Sequence, residues 1–198
     1  MALGVPFEVA VPEVEELTTG EPEETVIENA RRKARTGVEM SVGEAGLVVG
    51  VDTEVVLDGR LLGKARNEGE ARERLEALSG RTHEVLSGLV TIAAPDTKSA
   101  SVRSGLTNAP LDAGAAPSVH DPGPEERAGL ARSKVTFREL SEPLLAAYLA
   151  SGEWRDRAGA YAVQGLGSSL VERVDGDLSN VIGLPVNLLL ELAPGLLD

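Results

Sequence analysis

Asp52 follows the apolar run Leu47-Val-Val-Gly-Val51 directly. Such a run reads as a buried strand, and acids just beyond the carboxyl ends of strands in α/β sheets are well placed to meet a ligand. An aspartate there also serves as an ordinary turn or capping residue, so position alone leaves both readings open. Lys64 lies one hairpin later, in Leu62-Gly-Lys64, and Lys33 falls at the rim of the buried face of a predicted helix. The chain holds 15 arginines but only four lysines, Lys33, Lys64, Lys98 and Lys134. A lysine retained in an arginine-biased chain hints at a site for a compact cation rather than a planar fork. Carboxylates with such cations beside them are parts from which a phosphate-binding site can be made.

Composition narrows the ligand further. The formal charge of −13 argues against a nucleic-acid polymer as partner, because counterion release needs a basic surface. It does not exclude a small anion met by a few local cations and a divalent metal. With 198 residues and 42% hydrophobic content the chain can build one sizeable core, in one domain spanning residues 1–198. Aromatics supply only 3% of it, so Leu, Val and Ala must fill that core. Cysteine is absent, which removes disulfides and thiolate metal sites. His83 and His120 form no spaced zinc pattern. No apolar run is long enough for a bilayer, and the start lacks the pattern of a signal peptide, so no membrane partner and a cytoplasmic location are expected.

The elements that must position these residues follow from pattern. Thr18 to Pro22 reads as a helix entry, with Glu21, Glu23 and Glu24 at the positive end. That helix runs to about Val38, burying Val26, Ile27, Ala30 and Ala34. Leu47 to Leu57 reads as extended chain, Asp58-Gly59 as a tight hairpin, and Arg60 to Leu62 as its return. Glu68 to Leu78 reads as a second helix with Gly80 past its end. Thr82 to Ala94 is rich in β-branched residues and reads as a strand.

Residues 95–132 differ. Pro, Gly, Ser, Ala and Asp dominate without an apolar period, which predicts a flexible insertion. Val135 and Phe137 restart a strand, and Ser141 with Pro143 opens a helix ending near Gly152. Tyr161 to Gln164 and Leu170 to Val174 read as strands, Asp175-Gly-Asp177 as a turn, and Pro185 to Leu192 as a last helix. Helices and strands that alternate without repeats point to an α/β domain. Familiar motifs are missing: Gly165-Leu-Gly167 lacks the third glycine and following helix of a dinucleotide turn. Asp175-Gly-Asp-Leu-Ser-Asn180 lacks the spacing and closing Glu of a calcium loop.

Taken together, the segments resemble the Maf family of nucleotide pyrophosphatases. The resemblance is carried by Gly4-Val-Pro-Phe-Glu8, Glu28-Asn-Ala-Arg-Arg-Lys-Ala34 and Gly50-Val-Asp-Thr-Glu-Val-Val-Leu-Asp-Gly59. It continues through Leu62-Gly-Lys64, Leu78-Ser-Gly-Arg-Thr-His-Glu-Val85, Arg157-Ala-Gly-Ala-Tyr-Ala-Val-Gln-Gly-Leu-Gly167 and Asn180-Val-Ile-Gly-Leu-Pro185.

The resemblance implies an inosine-triphosphatase-like mixed sheet with helices, two lobes flanking a nucleotide cleft, and frequently a homodimer. It implies hydrolysis of dTTP, UTP and related nucleoside triphosphates to the monophosphate and pyrophosphate with a divalent metal, Mg or Mn. Asp52 then matches the catalytic carboxylate, and Glu16 a second acid sharing the metal. Lys33 and Lys64 match lysines facing the phosphates. Thr53 and Gln164 match positions linked to choice of base, and their types favour a pyrimidine over a modified purine.

Three departures accompany the match. Family members have a strand and a Ser-x-Ser-Pro-Arg-Arg loop before the Leu-Gly-Val-Pro-Phe segment, whereas this sequence starts at Met1-Ala-Leu-Gly-Val-Pro-Phe7. The expectation is therefore a domain without that strand and loop. If the start is genuine, the alternative is a catalytically impaired nucleotide-binding or regulatory protein of the kind linked with septum formation. Ala65 also stands where proline is usual, and Ser87 where threonine is usual.

Overall fold

The computed structural model describes residues 4–40, 46–93 and 125–197. Helix α1 (Pro22–Met40) begins with proline at its first position and Glu23 and Glu24 in its first turn. It buries Thr25, Val26, Asn29, Ala30 and Ala34, a narrow stripe of small residues interrupted by one amide. Strand β1 (Leu47–Leu57) turns at Asp58-Gly59, both with positive φ (52° and 74°), into β2 (Arg60–Leu61). Two left-handed residues in succession match the right-handed twist of the flanking strands. Helix α2 (Glu68–Leu78) is capped by Asn67, whose side chain accepts from the Glu70 amide at 2.9 Å.

Strands β3 (Thr82–Ala93) and β4 (Glu126–Phe137) are the longest, at 12 residues each. After α3 (Glu142–Ser151) an irregular stretch leads through the 3₁₀ turn Gly165–Ser169 to β5 (Val171–Asp175). Two short helices, α4 (Leu178–Ile182) and α5 (Val186–Leu192), follow. The five strands lie in the order β2-β1-β3-β4-β5. Every pairing among the described residues is antiparallel, so the expected α/β class holds but the sheet is not mixed.

Two further expectations are corrected. Half of β4 lies inside the stretch expected to be a structureless insertion: residues 126–132 pair with Leu86 to Ile92. This segment shows no apolar period because one of its faces is used for ion pairs. Glu126 accepts from Arg31 and Arg35 of α1, and Arg132 pairs with Glu84 and Glu23. The remainder of that stretch, residues 95–124, lies outside the described residues. Tyr161 to Gln164 is not a strand. Tyr161 turns into the core, and the Ala162 amide donates to the Tyr148 hydroxyl at 3.1 Å.

The sheet separates two apolar layers. On one face α1 covers Val90, Ile92, Val56 and Leu86. On the other, α2 and α3 bury Leu75, Leu78, Tyr148 and Leu149 against Val55, Leu57, Val85, Val135 and Phe137. The α1 layer is thin. A Cβ on Gly50 would lie 2.2 Å from the Ala30 carbonyl oxygen, and one on Gly88 2.3 Å from that of Val26. Helix backbone therefore rests directly on strand backbone.

His83 is 2% exposed in the thicker layer, its ring edge-on to Phe137 and Tyr161. Its Nε2 shares a hydrogen bond with the Tyr161 hydroxyl at 2.8 Å, and its Nδ1 has no partner. Burial pushes its pKa down from 6.5 to about 4.

Two outcomes are expected. Gly88→Ala lowers stability by about 1–3 kcal/mol in urea unfolding, because α1 backbone must move. The second concerns acid. Below pH 6.5 the unfolded chain protonates His83 while the folded chain holds it neutral to about pH 4. Stability is thus lost as pH falls through that window, by up to ~3 kcal/mol from this group. His83→Gln, which keeps a partner for Tyr161 but does not titrate, should show a smaller fall in urea midpoint between pH 7 and pH 5.

Candidate active site

Asp52 lies within β1 rather than beyond its end, paired with Gly88 of β3. The alternation of the strand aims its side chain at α1, where it is 5% exposed. Because Gly88 lets the helix approach so closely, two α1 side chains one turn apart reach the carboxylate. Lys33 donates to Oδ1 at 2.6 Å and Asn29 donates to Oδ2 at 3.0 Å. Lys33 also binds Glu16 Oε1 at 2.7 Å, so a single ammonium bridges the two acids.

Glu16 comes from residues 4–21, which form no helix or strand, so something else must hold it. Asn29 does so. Its Oδ1 accepts from the Leu17 amide at 2.7 Å, and its Nδ2 donates to the Leu17 carbonyl at 3.0 Å. Arg32 adds a hydrogen bond to the Glu15 carbonyl at 2.8 Å. The same buried amide thus fixes both the catalytic candidate and the segment carrying the second acid.

Lys64 approaches from the hairpin side, its Nζ 3.9 Å from Glu16 Oε2. Its backbone is held by a β-bridge to Ala158, and the preceding Gly63 carbonyl accepts from the Gly159 amide at 2.8 Å and Arg74 at 3.0 Å. Four of the residues expected to form the site, Asp52, Glu16, Lys33 and Lys64, are therefore brought together.

Thr53 and Gln164 are placed differently. One residue along the strand, Thr53 faces the opposite side of the sheet, its hydroxyl 2.7 Å from that of Ser87 and 3.5 Å from the Gly183 carbonyl. Gln164 is exposed on the turn entering the 3₁₀ segment, on that same side of the molecule as α3.

Two residues escape a reading by pattern alone. Asn29 is 1% exposed, and its signal is a polar side chain set within the apolar stripe of α1. Glu54 is two positions past Asp52 and so on the same face of β1. One of its oxygens is buried without a partner. Burial and then the charges of Asp52 and Glu16 push its pKa up to about 7, against the pull of Lys64 and the Gly63 backbone.

The electrostatics of the other groups run the opposite way. Burial pushes the Glu16 carboxyl up, but its hydrogen bond to Lys33 and the charges of Lys33 and Lys64 hold it below the ordinary range. Burial likewise pushes Lys33 down, yet its bonds to Asp52 and Glu16 win and raise it. Both directions favour the charged forms of Glu16 and Lys33.

Among the described residues, no three His, Cys, Asp or Glu side chains form a ready-made metal cage. Asp52 and Glu16 nevertheless fit a magnesium-like ion, which commonly takes one or two protein carboxylates and completes its shell with substrate phosphate and water. The ammonium of Lys33 between them marks a place where positive charge is stabilised.

Comparison with known proteins bears on the chain as a whole. The Maf family model, described as "Maf-like protein", matches residues 1–195. The chain is 39% identical over 186 residues to the dTTP/UTP pyrophosphatase of Thermococcus gammatolerans, covering 94% of this chain and 83% of that one. It is 36% identical to the protein of that name from Dictyoglomus thermophilum, covering 93% and 82% of the two chains. With the Bacillus cereus dTTP/UTP pyrophosphatase the identity is 38%, over 93% of this chain and 76% of the relative. With Asp52, Glu16 and Lys33 meeting on one face of an antiparallel sheet and the match running almost end to end, the chain belongs to the Maf family.

Proposed function

We propose that this protein is a dTTP/UTP pyrophosphatase, hydrolysing these nucleotides to the monophosphate and pyrophosphate in the cytoplasm. The observation that carries this reading is the convergence of Asp52 and Glu16 on Lys33, with Lys64 at the rim. The family relationship, and relatives bearing the same activity in their names, support it.

Hydrolysis at a phosphoanhydride needs a positioned water, an acceptor for its proton, and compensation for negative charge spread over phosphate oxygens. Asp52 is the proposed base. Asn29 and Lys33 each hold one of its oxygens, so the carboxylate cannot rotate. Lys33 and Lys64 supply compact positive charge at the phosphates. Asp52 and Glu16 would hold the divalent cation, Mg²⁺ or Mn²⁺, which when bound neutralises phosphate and makes water more acidic. Base choice is assigned to Thr53 and Gln164, whose hydroxyl and amide groups can pair with a pyrimidine edge. Thr53 faces the side of β1 opposite Asp52, toward Ser87 and the Gly183 carbonyl.

Asp52→Asn should lower dTTP and UTP turnover by about 10²–10⁴-fold, the span usual for loss of a general base. The variant should stay folded but lose about 1–3 kcal/mol in urea unfolding, since its amide nitrogen meets a donor, Asn29 Nδ2 or Lys33 Nζ, where Asp52 offers an acceptor to each. Near-normal pyrophosphate release by this variant with magnesium would remove Asp52 from the mechanism. Chelation by EDTA should abolish turnover of the parent protein, and added Mg²⁺ or Mn²⁺ should restore it; activity that persists in chelator would exclude a metal at Asp52 and Glu16.

A further inference from the structure

Helix α3 stops at Gly152, whose φ of 74° turns the chain sharply. The next two residues are fixed by this turn. The Ser151 hydroxyl accepts from the Glu153 amide at 3.2 Å. Trp154, 4% exposed, is anchored in the core and donates from its indole to the Leu149 carbonyl at 3.1 Å. The Glu153 side chain then extends to a segment 13 and 14 residues away. Its two oxygens accept separately from the amides of Leu166 at 3.0 Å and Gly167 at 3.1 Å.

Those amides belong to the turn that begins at Gln164. A carboxylate gripping two successive amides fixes the position and also the rotation of a turn, because its two acceptors are rigidly spaced. Gly165 makes the grip possible. Its φ is 63°, and a Cβ there would lie 2.8 and 2.9 Å from the Glu153 oxygens. On the other side of Gln164, the Tyr148 hydroxyl holds the Ala162 amide at 3.1 Å. Gly167 is packed so closely that a Cβ would meet the Ala162 carbonyl oxygen at 1.9 Å. Gln164 is thus an exposed side chain on a backbone clamped both before and after it.

Within the turn, Ser168 and Ser169 satisfy the carbonyls of Gly165 and Leu166, and the Leu170 amide that of Gly167. Gln164 makes no capping bond from its own side chain, so Glu153 meets the amides and leaves the Gln164 side chain free of that task. We propose that Glu153 is a positioning residue for nucleotide choice: through the Leu166 and Gly167 amides it holds Gln164 where it meets the nucleobase. This rests on the assignment of Gln164 to base selection.

The test compares Glu153→Ala, Glu153→Gln, Gln164→Ala and the double variant Glu153→Ala/Gln164→Ala, using dTTP, UTP, CTP and GTP. In Glu153→Ala the KM for dTTP and UTP should rise about tenfold while kcat changes less than about threefold. The preference for dTTP over CTP and GTP should shrink toward that of Gln164→Ala. The double variant should be no worse than Gln164→Ala alone, because both act through one contact. Hydrogen exchange should show the Leu166 and Gly167 amides opening at least about tenfold faster in Glu153→Ala. Glu153→Gln, with one acceptor oxygen left, should lie between parent and Glu153→Ala, and it decides the matter if the alanine variant does not fold. Equal losses for all four nucleotides with preference unchanged would make Glu153 a structural brace and overturn the proposal. If Gln164→Ala alters preference while both Glu153 variants match the parent, the positioning role alone falls. If Gln164→Ala leaves preference unchanged, the base-selecting assignment falls and the proposal with it.

Discussion

The contact between the backbone of α1 and the backbones of β1 and β3 is the constraint on which the site depends. A helix separated from a sheet by ordinary side chains presents its polar groups too far away to bond a short strand aspartate. Here Gly50 and Gly88 take the place of those side chains. Asn29 and Lys33 can then meet Asp52 at 3.0 and 2.6 Å. The thinness of this layer is therefore what brings the cluster together, and Ala30 and Ala34 extend it along the helix.

The second consequence is electrostatic. Three carboxylates, Glu16, Asp52 and Glu54, share one face of the molecule with two lysines. Burying such charges is unfavourable unless each finds a partner, and pairing rarely does more than offset the desolvation. Lys33 serves Asp52 and Glu16 together, which leaves Glu54 as the acid pushed up to about 7. A cluster tuned in this way stabilises the fold poorly but is ready for a ligand that brings its own charge. The opposite face carries the ordinary core, where Leu75, Leu78 and Tyr148 are buried and Phe137 and Tyr161 lie edge-on to His83. The ordinary core and the charged cluster thus lie on the two sides of one sheet.

The connections carry the parts that reach around this sheet. Residues 152–164 hold the Gly63–Lys64 turn through Gly159 and Ala158, and end at Gln164. One stretch of irregular chain therefore links the cation proposed for the phosphates to the amide proposed for the base. Its regularity lies in specific hydrogen bonds and positive-φ glycines, not in a repeating ladder.

Much of this was legible in the sequence because it is local. Helix α1, the Asp58-Gly59 hairpin, α2 and α3 follow from caps, turn residues and apolar spacing, which are read over a few neighbours. The motifs also carry Asp52, Lys33, Lys64 and Glu16 by resemblance. What tertiary structure decided is non-local. The first half of β4 is invisible as a strand because its partners are backbone groups on β3 and charges on α1, 91 to 95 positions away for Arg35 and Arg31 with Glu126. Asn29 looks like an ordinary helical amide until α1 lies on the sheet and places it between Leu17 and Asp52. Thr53 and Asp52 are neighbours in sequence but face opposite sides, since a strand turns successive side chains in opposite directions. The sequence alone names the chemical groups; only the packing of α1 on glycine determines which of them meet.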